Sequence, residues 1–178
     1  MFRSYRSTRD VAIAKTPIWQ ACLATSAAPG IFGPTTIGET SSRYFDGGIG
    51  NNNPIDLVVR EKGDLWPSRD IGCIVSIGTG IPRSSEWGKC LSKNIRACKA
   101  QTTESEATAR RFYDAIKEKY GPDQKVYYRF NVRKDLGNIE LDEWKQFDTI
   151  YNSTRDYLDE ERSQLNTCAS QILSPISR

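Results

Sequence analysis

The chain has 178 residues, 25 Lys and Arg against 22 Asp and Glu, a net charge of +3 and no histidine. At 38% hydrophobic and 26% charged residues it has the balance of a globular chain with one domain's worth of core. Interleaved charges exclude a nucleic-acid surface, and the missing imidazole excludes Ser-His-Asp and Cys-His catalysis within the chain and most zinc chemistry.

In chain order, Thr16-Pro17 predicts a capped helix start, with proline at the first helical position. Ile18, Ala21, Cys22 and Thr25 would form its apolar face, and Pro29-Gly30 would stop it. Tyr44-Phe45 reads as a short strand running into the turn Asp46-Gly47-Gly48. Asn53-Pro54 reads as cap and first turn of a helix through Ile55, Val58 and Val59 that ends near Gly63. Residues 71–77 are continuous and β-branched, as in a strand buried on both faces of a parallel sheet, and Gly78-Thr79-Gly80 closes it.

Residues 91–120 predict a helix broken near Thr102-Thr103. Val126, Tyr128, Phe130 and Val132 alternate over 125–132, the pattern of a half-buried strand. Over 142–173, Trp144, Phe147, Tyr151, Leu158, Leu165 and Ile172 fall at helical spacings. Strand-helix-strand order in the first half argues for an α/β fold with helices layered on a sheet.

Five cysteines (Cys22, Cys73, Cys90, Cys98 and Cys168) are odd in number and lack a CxxC pair. That composition fits reduced thiols inside a cell, with no metal site. Apolar runs such as Ile74–Ile77 fall far short of the roughly 20 residues of a spanning helix, so no transmembrane segment is expected. Residues 1–6 lack the apolar core of a signal peptide.

Three stretches, taken together, resemble patatin-like phospholipases. They are residues 18–32, with Ala24-Thr25-Ser26-Ala27-Ala28-Pro29; residues 44–54, with Asp46-Gly47-Gly48 and Asn53-Pro54; and Ser76-Ile77-Gly78-Thr79-Gly80. The resemblance covers about the first 80 residues. It implies part of a three-layer α/β/α domain with a mainly parallel sheet (1–80), followed by a mostly helical extension packed on it (81–178). It also implies a serine–aspartate dyad that hydrolyses acyl esters of phospholipids or other lipids, with no cofactor. In such a dyad the serine of a Gly-x-Ser-x-Gly elbow attacks the carbonyl, and the aspartate takes its proton directly. Asp46 matches the catalytic aspartate, and Gly47 and Gly48 shape its turn. The expected partner is a lipid acyl ester or phospholipid surface, which suits a cytoplasmic protein, peripheral at membranes.

Neither a Gly-x-Ser-x-Gly elbow nor a Gly-Gly-x-Arg oxyanion loop occurs in the 178 residues. In the family both precede the Thr-Ser-Ala-Ala-Pro helix. The expectation is therefore a fragment that carries the aspartate and lacks the nucleophile, inactive alone, with a missing N-terminal half or a protein partner. The alternative is a truncated, non-catalytic paralogue that binds lipid or protein.

Other motifs have plainer readings beside them. Asp46-Gly47-Gly48 by itself is a turn whose aspartate caps its own backbone. Ser26 sits in an alanine-flanked elbow pattern, but a helix precedes it where an elbow needs a strand. Gly47, Gly48 and Gly50 ahead of a helix offer N–H groups to an anion such as a lipid phosphate, or merely a tight turn. Gly78-Thr79-Gly80 begins like a dinucleotide loop, but it lacks the third glycine and Pro82 stands where a helix would open. Trp87, Trp144, Phe147 and Tyr151 suit core packing or an acyl groove.

Overall fold

The structure is a computed structural model that describes residues 2–3, 5, 16–28, 32–38, 42–81, 93–136, 139 and 143–174, with the backbone alone over 93–103. It resolves into two compact units, Met1–Asn52 and Asn53–Arg178.

In the first unit, α1 (Ile18–Thr25) follows Pro17, whose extended backbone starts it, and the N–H groups of Gln20 and Ala21 bond to the Pro17 carbonyl. Ser26 closes the helix through its N–H to Cys22 O. The expected apolar face does not become the buried one: Ile18 is 83% exposed and Cys22 is exposed, while Ala24 and Ala27 are buried. Small side chains let α1 approach strand β1 (Thr35–Ile37) closely, and this side carries the burial. Strand β1 pairs antiparallel with β2 (Ser42–Tyr44) in the register Thr35↔Tyr44 and Ile37↔Ser42. The chain then turns at Asp46 into a short, irregular helix α2 (Gly48–Asn51), in which Gly50 adopts φ +84°, a conformation that favours glycine.

The second unit is layered. Helix α3 (Ile55–Leu65) leads to β3 (Ile74–Ile77), and α4 (Lys93–Tyr120) leads to β4 (Tyr127–Phe130). The two strands pair in parallel, Ile74↔Tyr127 through Ile77↔Phe130. Pairing in register sorts the side chains. Ile74 and Tyr127 face Ile55 of α3 and Phe112, Ile116 and Tyr120 of α4. On the other face Tyr128 and Phe130 join Val132, Leu136, Tyr157 of α5 (Phe147–Glu160) and Cys168 of α6 (Arg162–Leu173). The result is an α/β/α sandwich built on a parallel strand pair.

Several expectations change. Helix α4 runs unbroken through Thr102-Thr103, since two threonines reduce helix propensity without breaking backbone hydrogen bonds. Strand β4 is buried on both faces, Tyr127 as well as Tyr128, whereas β3 exposes Val75 and Ile77, the latter 78%. The C-terminal helix bends at Glu161, which separates α5 from α6. Its aromatic stripe lies outward, with Trp144 77% and Phe147 68% exposed, while Tyr157 and Cys168 form the buried seam. Strand β4 completes β3 within the second compact unit.

Among the described residues no helix is long and apolar enough to cross a membrane. Cys73 packs beside Cys168 in the second core, and Gln171, one turn on from Cys168, donates to Gly72 O at 3.3 Å. Burial, then the adjacent Cys168 thiol, pushes the Cys73 thiol up to about 11. The fold favours the protonated thiol, so that contribution to stability is intact below the ordinary value of 9.0 and is lost as pH rises through about 11.

Iodoacetamide at pH 8 followed by peptide mass spectrometry should therefore label Cys22 well before Cys73 and Cys168; equal rates at all three would contradict this packing. The Asn131 N–H donates to the Tyr157 hydroxyl at 3.2 Å, pinning α5 to the end of β4. Tyr157→Phe leaves that buried donor unpaired and should lower stability by about 1–3 kcal/mol in urea titration.

Candidate functional site

Strand β2 delivers Asp46 to a turn, and two bonds fix it, one to the end of α1 and one within the turn itself. The Asp46 N–H donates to the Ala27 carbonyl at 3.1 Å. This tie joins the two segments singled out in the first half of the sequence, the end of α1 and the turn after β2. The Gly48 N–H donates to Asp46 Oδ1 at 2.7 Å, so the carboxylate is held by its own backbone two residues on. The plain turn and the candidate site are thus the same geometry. Asp46 is half-buried, and a carboxylate so placed is oriented yet reachable.

Gly48 is the more constrained of the two turn glycines. A Cβ there would lie 3.2 Å from Asp46 Oδ1, whereas one at Gly47 would meet nothing within 4 Å. The N–H of Gly48 is committed to Asp46, that of Ile49 to Asp46 O and that of Asn51 to Gly47 O. This leaves few donors for an anion, and the geometry is that of a tight turn.

Ser26 sits at the C-terminal end of α1, exposed, and lacks the strand–turn–helix setting of a nucleophile elbow. Gly78-Thr79-Gly80 leaves β3 without opening a helix: the Gly78 N–H bonds to Phe130 O, and Ile81 N–H to Val132 O. Trp144, Phe147 and Tyr151 share an exposed side, where Phe147 and Tyr151 stack at 6.5 Å. Trp87 lies outside the described residues. Among the described residues no group of three or more Cys, Asp or Glu is placed to hold a metal.

Sequence reasoning missed a polar network in the second unit. Asn53 is not the N-cap of α3: Pro54 holds that position without a side-chain cap bond. Instead the Asn53 amide donates to the Ser105 carbonyl of α4 at 3.2 Å, and its oxygen accepts from Ser76 Oγ at 3.5 Å. Arg129, the register partner of Ser76, donates to that hydroxyl at 3.0 Å and to Glu106 Oε1 at 2.7 Å. Asn131 donates to the same Glu106 oxygen at 2.8 Å and accepts from the Gly80 N–H at 2.7 Å. The Tyr127 hydroxyl lies beside Ser76 and Asn53 without reaching hydrogen-bond geometry, and burial raises its pKa. The one available sequence signal was the polar residues (Ser76, Arg129 and Asn131) inside strands that otherwise read as apolar.

The profile of the family described as Patatin-like phospholipase matches residues 2–59, the stretch that contains Asp46 and its turn. Calcium-independent phospholipase A2-gamma of Oryctolagus cuniculus is 33% identical over 126 residues, 71% of this chain and 15% of that protein. Phospholipase A I of Arabidopsis thaliana is 32% identical over 144 residues, 78% of this chain and 10% of its own length. Patatin-like phospholipase 1 of Plasmodium falciparum is 28% identical over 171 residues, 84% and 25% of the two chains. The chain thus spans between a tenth and a quarter of these relatives. The comparison with solved structures found no match. With an α/β fold, a parallel strand pair and this motif segment, the chain belongs to the patatin-like phospholipase family.

Proposed function

We propose that the chain is the aspartate-bearing part of a lipid acyl hydrolase acting through a serine–aspartate dyad. Asp46 is the general base, Gly47 and Gly48 shape its turn, and polypeptide outside residues 1–178 supplies the nucleophilic serine. The observation that carries this reading is the carboxylate fixed by Gly48 at 2.7 Å inside the segment matched by the family. Names of the relatives support a phospholipase, hence a phospholipid or other lipid acyl ester as substrate; action in the cytoplasm at membrane surfaces is the setting this reading proposes for it.

The chemistry follows from one oxygen being occupied. With Oδ1 engaged by Gly48, Oδ2 takes the serine proton as the serine oxygen attacks the ester carbonyl. The tetrahedral intermediate collapses to an acyl-serine, and the leaving alcohol recovers the proton from Asp46. Water then loses a proton to Asp46 and attacks the acyl-serine. Collapse frees the fatty acid and returns that proton to the serine. Neither half needs an imidazole or a metal ion.

A second reading has its own support. Ile18, Trp19 and Leu23 of α1 are exposed, as are Val75 and Ile77 of β3, more apolar surface than scattered surface residues require. This favours a non-catalytic module that binds lipid or protein.

Activity separates the two. The 178-residue chain alone should not hydrolyse a phospholipid or p-nitrophenyl acyl ester. In a polypeptide that joins it to a Gly-x-Ser-x-Gly elbow, Asp46→Asn should lower kcat by roughly 10²–10⁴-fold. Gly48→Ala, which crowds Asp46 Oδ1, should lower it on the order of tenfold. Full activity of the joined Asp46→Asn protein would refute the role of Asp46; hydrolysis by the chain alone would refute the external serine.

A further inference from the structure

Helix α6 is held to the rest of the second unit by little. Cys168 is its one buried residue, while Ile172 and Leu173 are 60% and 82% exposed. Gln171 adds a bond, donated to Gly72 O at 3.3 Å. A surface helix ordinarily buries a whole stripe of apolar side chains, and one with so few buried contacts belongs to the low-stability end of a structure. Both attachments meet the same short stretch: Gln171 reaches residue 72, and Cys168 packs with Cys73, which leads into β3.

Cys168 and Cys73 are both free thiols, and they lie close enough to share a hydrogen bond. They are far apart in sequence, so a bond between them would close a loop on the order of 100 residues, and long loops gain most from a cross-link. Cys73 is half-buried whereas Cys168 is buried, so a dissolved oxidant reaches Cys73 first. Burial holds the Cys73 thiol up at about 11, and a thiol that is mostly protonated exchanges slowly near neutral pH. The pair therefore stays reduced until an oxidant is supplied.

We propose that Cys73 and Cys168 form a redox latch: a disulfide between them fastens α6 to the segment that opens β3, and its reduction returns the helix to its single buried contact. The oxidant is a low-molecular-weight disulfide such as oxidised glutathione. Cys73, as the thiolate, attacks one sulfur of that disulfide; its S–S bond breaks, and one glutathione leaves and takes up the proton. Cys168 then gives up its proton, and its sulfur attacks Cys73 Sγ of the mixed disulfide, which releases the second glutathione. Two protein thiols are oxidised to one disulfide, and one glutathione disulfide is reduced to two thiols.

The test uses the full 178-residue chain carrying Cys22→Ser, Cys90→Ser and Cys98→Ser, which leaves only the pair, incubated with oxidised glutathione at mildly alkaline pH without denaturant. Its intact mass should fall by about 2 Da with no glutathione adduct remaining, and dithiothreitol should restore it. Peptide mapping should find Cys73 and Cys168 cross-linked. Amide exchange by NMR at Gln171 and Ile172 should slow about tenfold or more on oxidation, while Tyr128 and Phe130 of β4 keep their protection. With Cys73→Ser added, neither the mass loss nor the slowing should occur. A glutathione adduct that never closes, closure only in denaturant, closure that costs β4 its protection, or closure with unchanged exchange at Gln171 and Ile172 would overturn the proposal.

Discussion

The parallel register between β3 and β4 decides most of the second unit. Each β3 residue shares a face with its partner in β4, so a single pairing places Ile74 and Tyr127 toward α3 and α4 and Tyr128 and Phe130 toward α5 and α6. A slip of one residue would exchange these sets. If β4 slipped against β3, Arg129 would be turned among Tyr157, Leu136 and Cys168, away from the Glu106 carboxylate it now pairs with. Polar and apolar layers thus lock the same register from opposite sides of the sheet.

That register also leaves an edge. The N–H groups of Ile74 and Gly78 bond to Val126 and Phe130 carbonyls, so the main-chain groups of Val75 and Ile77 point the other way. Among the described residues no strand pairs with them. An apolar, unpaired edge invites another strand. This fits the proposal that the working enzyme includes polypeptide beyond these 178 residues, and it fits a chain that spans only part of its relatives.

Much of the site was legible because it is local. Asp46-Gly47-Gly48 specifies a turn in which a carboxylate caps a backbone N–H two residues away, and the structure contains that bond at 2.7 Å. The start of α3 near Asn53-Pro54 and the end of β3 near Gly78 were legible for a related reason: proline fixes its own φ, and glycine permits backbone conformations that end a strand. What failed was burial. Ile18 was assigned to an apolar face from periodicity, Val75 to a strand buried on both faces from a continuous apolar run, and Trp144, from its helical spacing, to core packing or an acyl groove. Periodicity states which residues share a side, not whether that side meets anything. Asn53 was misjudged differently: its amide satisfies a carbonyl 52 residues away rather than the helix it precedes, and no local pattern encodes such a partner.

Asp46 has chemistry to perform only beside a serine, so the function depends on where the nucleophile resides. The most direct measurement is fluorophosphonate labelling of the native source material, resolved by mass and detected with an antibody to α6. A labelled species well above 20.1 kDa, bearing the label on a serine outside these 178 residues, is the predicted result. A species of 20.1 kDa that takes no label would contradict the account and leave the chain a binding module.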